Sequence, residues 1–335
     1  MGFRARKSIK IALGVRMTIS PKSASLRVGP RGAGVSVNTR GRVTKSVGIP
    51  GSGVSYQSSS KLGSKPRAAR RAPAPLPQVA AAPTPSLFAP KWEKALHRAL
   101  IKDADITATA EVADKYPEAR AVAAIFEALK SAIPAGDVVR ARGLVEWVYG
   151  TGFDPTTDPF FEKYLPGQVL TLGVAEGVEA RLPMDRDSLA LLLAELLQAS
   201  GDLAAAVEVV EGIETPTTIA AVSLAELYAE QERWEEIIAL TDSITNQDDP
   251  STYLLIQRAI AFREQGYFES ARESFKESLR IRTRPVELRN RAYLERGITY
   301  LAEGKRAMAR KDLERLLAAD SSYPGLQEQI AKLRD

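Results

Sequence analysis

The stretch 251-STYLLIQRAIAFREQGYFESARESFKESLRIRTR-284 decides how this chain folds. Leu255, Ala259 and Phe262 fall on one face of a helix at steps of four and three. After Gln265-Gly266-Tyr267, a turn with glycine at its centre, Phe268, Ala271, Phe275 and Leu279 repeat the pattern on a second helix. Ala259 and Ala271 carry almost no side-chain volume, so the two backbones can approach closely. The reading is an antiparallel helix pair. Neither helix can bury its apolar face alone, which implies neighbours of the same kind and a function that resides in the surface of the stack.

Working outward, the neighbours are present. In register with 251–284, Ala194, Ala225, Ala259 and Gly297 form one column, and Leu197, Tyr228, Phe262 and Tyr300 form a bulky one. Gly201, Glu232, Gly266 and Gly304 occupy the turn, and Ala206, Ile237, Ala271 and Ala309 form the column of the second helix. Over about residues 187–323 this resembles the tetratricopeptide repeat, a helix pair with small residues and aromatics at set positions. The chain departs from that pattern at the repeat's fourth position, where Ala190, Ala221, Leu255 and Tyr293 stand in place of tryptophan, and only Pro285 matches the terminal proline, out of register.

The resemblance implies a concave surface built from the first helix of each pair. Those positions are Ser188, Leu191, Glu195 and Gln198, then Ile219, Val222, Glu226 and Ala229, then Tyr253, Ile256, Ile260 and Arg263, then Arg291, Leu294, Ile298 and Leu301. The Lys and Asn set with which co-chaperone members grip a C-terminal carboxylate is absent. What remains is an apolar groove with Glu at one end and Arg at the other, suited to a peptide or helix of a protein partner. The expected partner-binding residues are Leu191, Glu195, Val222, Glu226, Tyr253, Ile256, Ile260, Arg263, Arg291, Leu294 and Ile298. The chain's own helices within 91–166 are the competing cover for this surface.

The N-terminal part has a different grammar. Val15, Met17 and Ile19 alternate with polar residues, as do Leu26 with Val28, Val35 with Val37 and Val54 with Tyr56. Between them stand Gly29-Pro30-Arg31-Gly32, Asn38-Thr39-Arg40-Gly41 and Pro50-Gly51-Ser52-Gly53, which supply turn conformations. The expectation is an antiparallel meander. The start MGFRARKSIK, then Gly14-Val15-Arg16 and the ending GIPGSGVSY over 48–56, resemble a bacterial domain of unknown function, family 4236. That resemblance spans about residues 1–57, implies a domain boundary and a bacterial origin, and transfers no chemistry.

Charge divides the chain more sharply than its net +5 indicates. Residues 1–91 hold 17 Lys and Arg and no acid; residues 92–257 hold 12 basic and 29 acidic residues. A cation of this kind suits a polyanion or an anionic surface. Arg4, Arg6, Lys7, Arg16, Arg27, Arg31, Arg40 and Arg42 are its expected contacts with nucleic acid or an anionic membrane, within residues 1–71. Only Phe3 and Tyr56 could stack on bases there, which disfavours sequence-specific single-strand binding. From about 57 to 90 come Ser, Ala and seven prolines, at 66, 73, 75, 77, 83, 85 and 90, the composition of an extended linker.

Residues 91–166 read as helices at 92–116, 117–133 and 136–149, with Asp158-Pro159-Phe160 opening a short fourth one through an N-cap and a first-turn proline. A hairpin follows at about 169–182 across Ala175-Glu176-Gly177, with no role readable from sequence. Catalysis finds little to work with. The one histidine, His97, has Ile101 rather than a ligand at i+4. Asp185 and Asp187 lack the spacing of a calcium loop, and the glycine-rich turns lack the Gly-Lys-Ser/Thr of a phosphate cradle. With no cysteine, disulfides and thiolate chemistry are excluded. The expectation is no enzyme, no cofactor, no metal and no small-molecule substrate.

The initial segment lacks both a signal-peptide core and the myristoylation pattern, and no apolar run is long enough to span a bilayer. A cytoplasmic protein is expected, with a peripheral-membrane or nucleoid-associated location as the alternative. The chain therefore reads as multidomain: a small antiparallel β N-terminal module (1–57), a linker (58–90), a helical region with the hairpin (91–186), an all-α tetratricopeptide-like helical repeat or α-solenoid domain of four helix pairs (187–323), and a C-terminal helical tail (324–335).

Overall fold

In the computed structural model the described residues are 83–333 and, before them, the backbone of 7–12, 15–20, 23–28, 33–38, 42–48 and 55–61. Those six segments are strands β1 (Lys7–Ala12), β2 (Val15–Ser20), β3 (Ser23–Val28), β4 (Ala33–Asn38), β5 (Arg42–Gly48) and β6 (Ser55–Lys61), each paired antiparallel with the next. The register sets Met17 opposite Leu26, Leu26 opposite Val37, and Val37 opposite Val43, so the alternating apolar positions share one side of the pleat. β6 runs on to Lys61, beyond the resemblance that ends near 57.

The chain divides into two compact units. One holds residues up to 172 together with 181–200; the other holds 173–180 and 201–335. Helices of the first are α1 (Lys91–Leu96), α2 (Ile106–Lys115), α3 (Arg120–Glu127), α4 (Ile133–Ala135), α5 (Val138–Gly150), α6 (Pro159–Tyr164) and, after the hairpin strands β7 (Val169–Ala175) and β8 (Val178–Pro183), α7 (Arg186–Ala199). The helix expected over 92–116 is interrupted. α1 widens into a π-helical stretch, His97–Lys102, and the chain then turns through Ala104 at φ +52°. Asp105 caps the restart, its carboxylate accepting from the backbone N–H of Thr107 and Ala108. The local pattern of apolar residues hides this break, because both halves keep a helical period.

The core of this first unit contains an aromatic cluster among aliphatic residues. Phe160 and Tyr164 of α6 lie with ring centres 4.9 Å apart, Trp92 and His97 pack on them, and Phe161 joins Phe126 and Phe153. Asp158 caps α6 through the backbone N–H of Phe160 and Phe161, with Pro159 in the first turn, as the sequence signals indicate.

The second unit is regular. Its helices are α8 (Leu203–Glu211), α9 (Thr218–Glu230), α10 (Trp234–Leu240), α11 (Asp249–Glu264), α12 (Phe268–Ser278), α13 (Val286–Ala302), α14 (Arg306–Ala319) and α15 (Leu326–Lys332). α9 packs on α10, α11 on α12 and α13 on α14; α11 also packs on both α9 and α13. Ala225, Ala259, Ile237, Ala271 and Ala309 have no solvent exposure, and Gly297 completes the first column because an added Cβ would lie 2.9 Å from Leu313 Cδ2.

Three turns of the second unit are built alike. Glu232, Gly266 and Gly304 have φ of +55°, +79° and +73°, and the residue after each donates back to the bulky column, Arg233 N to Tyr228 O, Tyr267 N to Phe262 O and Lys305 N to Tyr300 O. Among the described residues no helix is long and apolar enough to cross a membrane.

Candidate partner-binding surface

A helix-pair stack recognises partners through the side chains that its first helices leave to solvent, so each expected groove residue can be asked whether it is reachable. Most are not. Leu191, Glu195, Val222, Tyr253, Ile256, Ile260 and Leu294 are buried, which corrects the expectation of an open apolar groove. Glu226, Arg263, Arg291 and Ile298 are half-buried.

In the second unit the reasons are visible. Leu294 belongs to a core cluster with Leu313, Leu316 and Leu326, and Ile298, Leu301, Tyr323 and Ile330 pack against it. α15 and the segment before it thus cover the apolar positions of the α13–α14 pair. The charged positions pair with one another. Arg291 of α13 reaches the Tyr253 hydroxyl at 3.0 Å and the Glu226 carboxylate at 3.4 Å, its guanidinium lying 4.9 Å from the Tyr253 ring centre. Gln257 Nε2 joins the same two groups at 2.5 and 3.1 Å. A polar ladder therefore runs from α9 through α11 to α13.

Burial pushes the Glu226 carboxyl above its ordinary range, opposed by Arg291 and by the Gln257 hydrogen bond. Desolvation wins here because one cation shared with a phenol at over 3 Å does not replace the water that the carboxylate has lost. Arg263 pairs with Glu295 at 2.7 Å across α11 and α13, and Arg296 holds Asp312 by two bonds of 2.7 and 2.8 Å between α13 and α14. The opposite charges read at the two ends of the groove are thus largely spent on joining repeats.

Sequence reasoning missed Glu295 and Tyr323, and it placed the hairpin tip without giving it a role. The Tyr323 hydroxyl lies 3.2 Å from both carboxylate oxygens of Glu176, and a Cβ at Gly177 would meet Leu288 Cγ at 3.0 Å. The first of these contacts joins residues 147 positions apart, and no local spacing signals either of them. Other surface features are apolar: Tyr267, Val286, Met308 and Leu317 in the second unit are exposed, as are Leu87, Phe88, Val139 and Trp147 in the first.

His97 packs edge-on against Tyr164, and among the described residues its Nε2 has no hydrogen-bond partner. No group of three His, Cys, Asp or Glu able to hold a metal occurs among the described residues. Of the expected polyanion contacts, Arg4, Arg6, Arg31 and Arg40 lie outside the described residues, as does 62–82 of the expected linker; Lys7, Arg16, Arg27 and Arg42 fall in strands described by backbone alone.

Residues 3–57 match a family described as "Protein of unknown function (DUF4236)". No curated protein matches the chain. Among solved structures it is similar to the N-terminal domain of the EccA1 ATPase from the ESX-1 secretion system of Mycobacterium tuberculosis, at 16% identity and TM-score 0.49, covering 73% of this chain and 87% of that one. It is similar also to a tetratricopeptide repeat protein from Parabacteroides merdae, at 15% identity and TM-score 0.47, covering 64% and 72%. A third similar chain is MamA AMB-1, at 16% identity and TM-score 0.38, covering 60% and 99%. The chain thus joins a family match at its N-terminus to a body whose structural neighbours include tetratricopeptide-repeat proteins.

Proposed function

We propose that this protein is an interaction scaffold: a basic β module and a linker that carry a helical-repeat body, which binds a protein partner. The observation that supports it is the repeated helix pair itself. Three successive turns with the same left-handed residue and the same backbone bond make a stack whose surface, rather than any reactive group, is its distinguishing product. The reachable members of the expected groove, Glu226, Arg263, Arg291 and Ile298, are the proposed contacts.

The test compares capture of a partner by the full chain with capture by Arg263→Ala and Arg291→Ala variants, using Lys276→Ala at an exposed position of α12 as control, with helical circular dichroism to check folding. Loss with the first two and retention with the third supports the reading; equal capture by all three removes it.

A second reading is favoured by the charge count, 17 basic residues and no acid over 1–91. In it the β module tethers the protein to nucleic acid or an anionic membrane, through Arg4, Arg6, Lys7, Arg16, Arg27, Arg31, Arg40 and Arg42. Counterion release then requires binding that falls by about a thousandfold between low and moderate salt for roughly six phosphate contacts. Residues 1–71 and 91–335, measured on duplex DNA, RNA and anionic vesicles across a salt series, separate the two readings. Salt-insensitive binding, or none by 1–71 near physiological salt, removes the tether.

A further inference from the structure

The β7–β8 hairpin is the element for which neither the repeats nor the β module gives a purpose. Its tip, residues 173–180, belongs to the second unit rather than to the one that holds the rest of the hairpin. One face of the tip is buried, Val174 at 4% and Val178 at 2% exposure, while Glu176 between them remains exposed. Gly177 turns at φ +79° directly against Leu288 and Glu287 at the start of α13, where an added Cβ would lie 3.0 to 3.3 Å from their side chains, a tight fit in a backbone conformation that other residues rarely adopt. The Glu176 carboxylate meets the Tyr323 hydroxyl with both oxygens. Burial, then Glu176, raise the Tyr323 phenol well above its ordinary value, and Arg291 opposes them.

We propose that Leu288 and Tyr323 form a docking seat for an acidic tight turn flanked by β-branched residues, and that the tip Val174-Ala-Glu-Gly-Val178 is its built-in occupant, which a partner carrying the same chemistry must displace. This rests on the reading of the second unit as a partner-binding body. The chemistry fits removal. The Glu176 contact is solvent-exposed and its acceptor remains hydrated when it is broken, so little is lost at the charge. The two buried valines, in contrast, demand an apolar replacement. A competitor therefore needs both the carboxylate and its apolar flanks, which makes the seat selective against merely acidic peptides. The glycine position adds shape, since only a turn that passes close to Leu288 fits.

The test uses the full chain and a fluorescent peptide of residues 168–184, closed by a disulfide between added terminal cysteines, with fluorescence anisotropy as the readout. Val178→Asp, which expels the chain's own tip, is expected to bind the peptide at least tenfold more tightly than wild type, and the milder Glu176→Ala about threefold. Adding Leu288→Asp to either is expected to abolish the gain. Amide hydrogen exchange over 173–180 is expected to quicken in both tip variants while α11–α14 remain protected. If Val178→Asp fails to fold, Glu176→Ala carries the comparison. Equal affinity of wild type and a folded tip variant, or no binding by that variant, overturns the proposal. Because the probe is the chain's own hairpin, this outcome is independent of partner capture: a working seat with no captured partner removes the scaffold reading alone.

Discussion

The two units of this chain solve the same packing problem in different ways. In the first, α1 to α6 meet through large rings, with Phe160, Tyr164, Phe161 and Phe126 filling the space between helices that carry π-helical stretches at His97–Lys102 and Ala128–Ala132. In the second, α9 to α14 meet through Ala225, Ala259, Ala271, Ala309 and Gly297, so the backbones themselves come close and the helices stay regular. A core made of large side chains tolerates irregular helices because the rings adapt to the gaps. A core made of small ones requires each helix to return in the same register, and the same turn recurs as a result.

The contrast makes opposite mutations dangerous in the two units. The largest expected effect is truncation of the aromatic core: Phe160→Ala, at 1% exposure, should cost about 3–5 kcal/mol through lost burial and the cavity left behind. Chemical denaturation followed by circular dichroism checks it, and a cost below about 1 kcal/mol would show that the rings are not what holds this unit. Next comes enlargement of the small-residue column. Ala271→Trp should cost about 1–3 kcal/mol or more by forcing α11 and α12 apart, whereas Ser270→Trp, one position round on the exposed face, should change little. Equal melting temperatures for the two variants would contradict the helix-pair register.

A smaller effect of opposite sign is expected at the one of the three like turns that has no glycine at its left-handed position. Glu232 sits at φ +55° with a Cβ that this region disfavours by about 1–2 kcal/mol. Glycine gives back part of that through its greater freedom in the unfolded chain, so Glu232→Gly should stabilise by roughly 0.5–1 kcal/mol. A lowered melting temperature would show that the side chain earns its place by another contact.

The subtlest prediction concerns pH in the first unit. Burial works to raise the Glu93 carboxyl, yet the hydrogen bonds from Lys163, at 2.6 Å, and from Tyr164 carry it below its ordinary 4.5. A carboxyl depressed on folding stabilises the folded state above its unfolded pKa, and this contribution fades as pH falls through the folded value. Glu93→Gln should therefore be less stable than wild type near pH 7, with the gap closing below about pH 4.5. A gap that stays constant down to pH 3 would assign the effect to shape rather than charge.

How much of this was legible follows from how far apart the cooperating residues lie. Ala259, Phe262, Gly266 and Ala271 sit within thirteen positions, so spacing alone placed them on paired helices and at the turn. Asp158 before Pro159 announced α6 for the same local reason. The break after α1 escaped notice because Asp103, Ala104 and Asp105 interrupt two segments that share a period.

By itself, then, the sequence determined the repeat register, the turn chemistry and the division between a basic start and an acidic middle, all of which depend on neighbours along the chain or on simple counts. Only the tertiary structure decided which of the first-helix positions meet solvent. Tyr253 and Ile256 have the composition of a binding groove, yet they are buried, and Arg291 turns inward to Glu226 and Tyr253. It alone also brought Glu176 to Tyr323. A residue's exposure depends on what arrives over it from distant parts of the chain, and the periodicity that builds a helix face carries no record of what will cover that face.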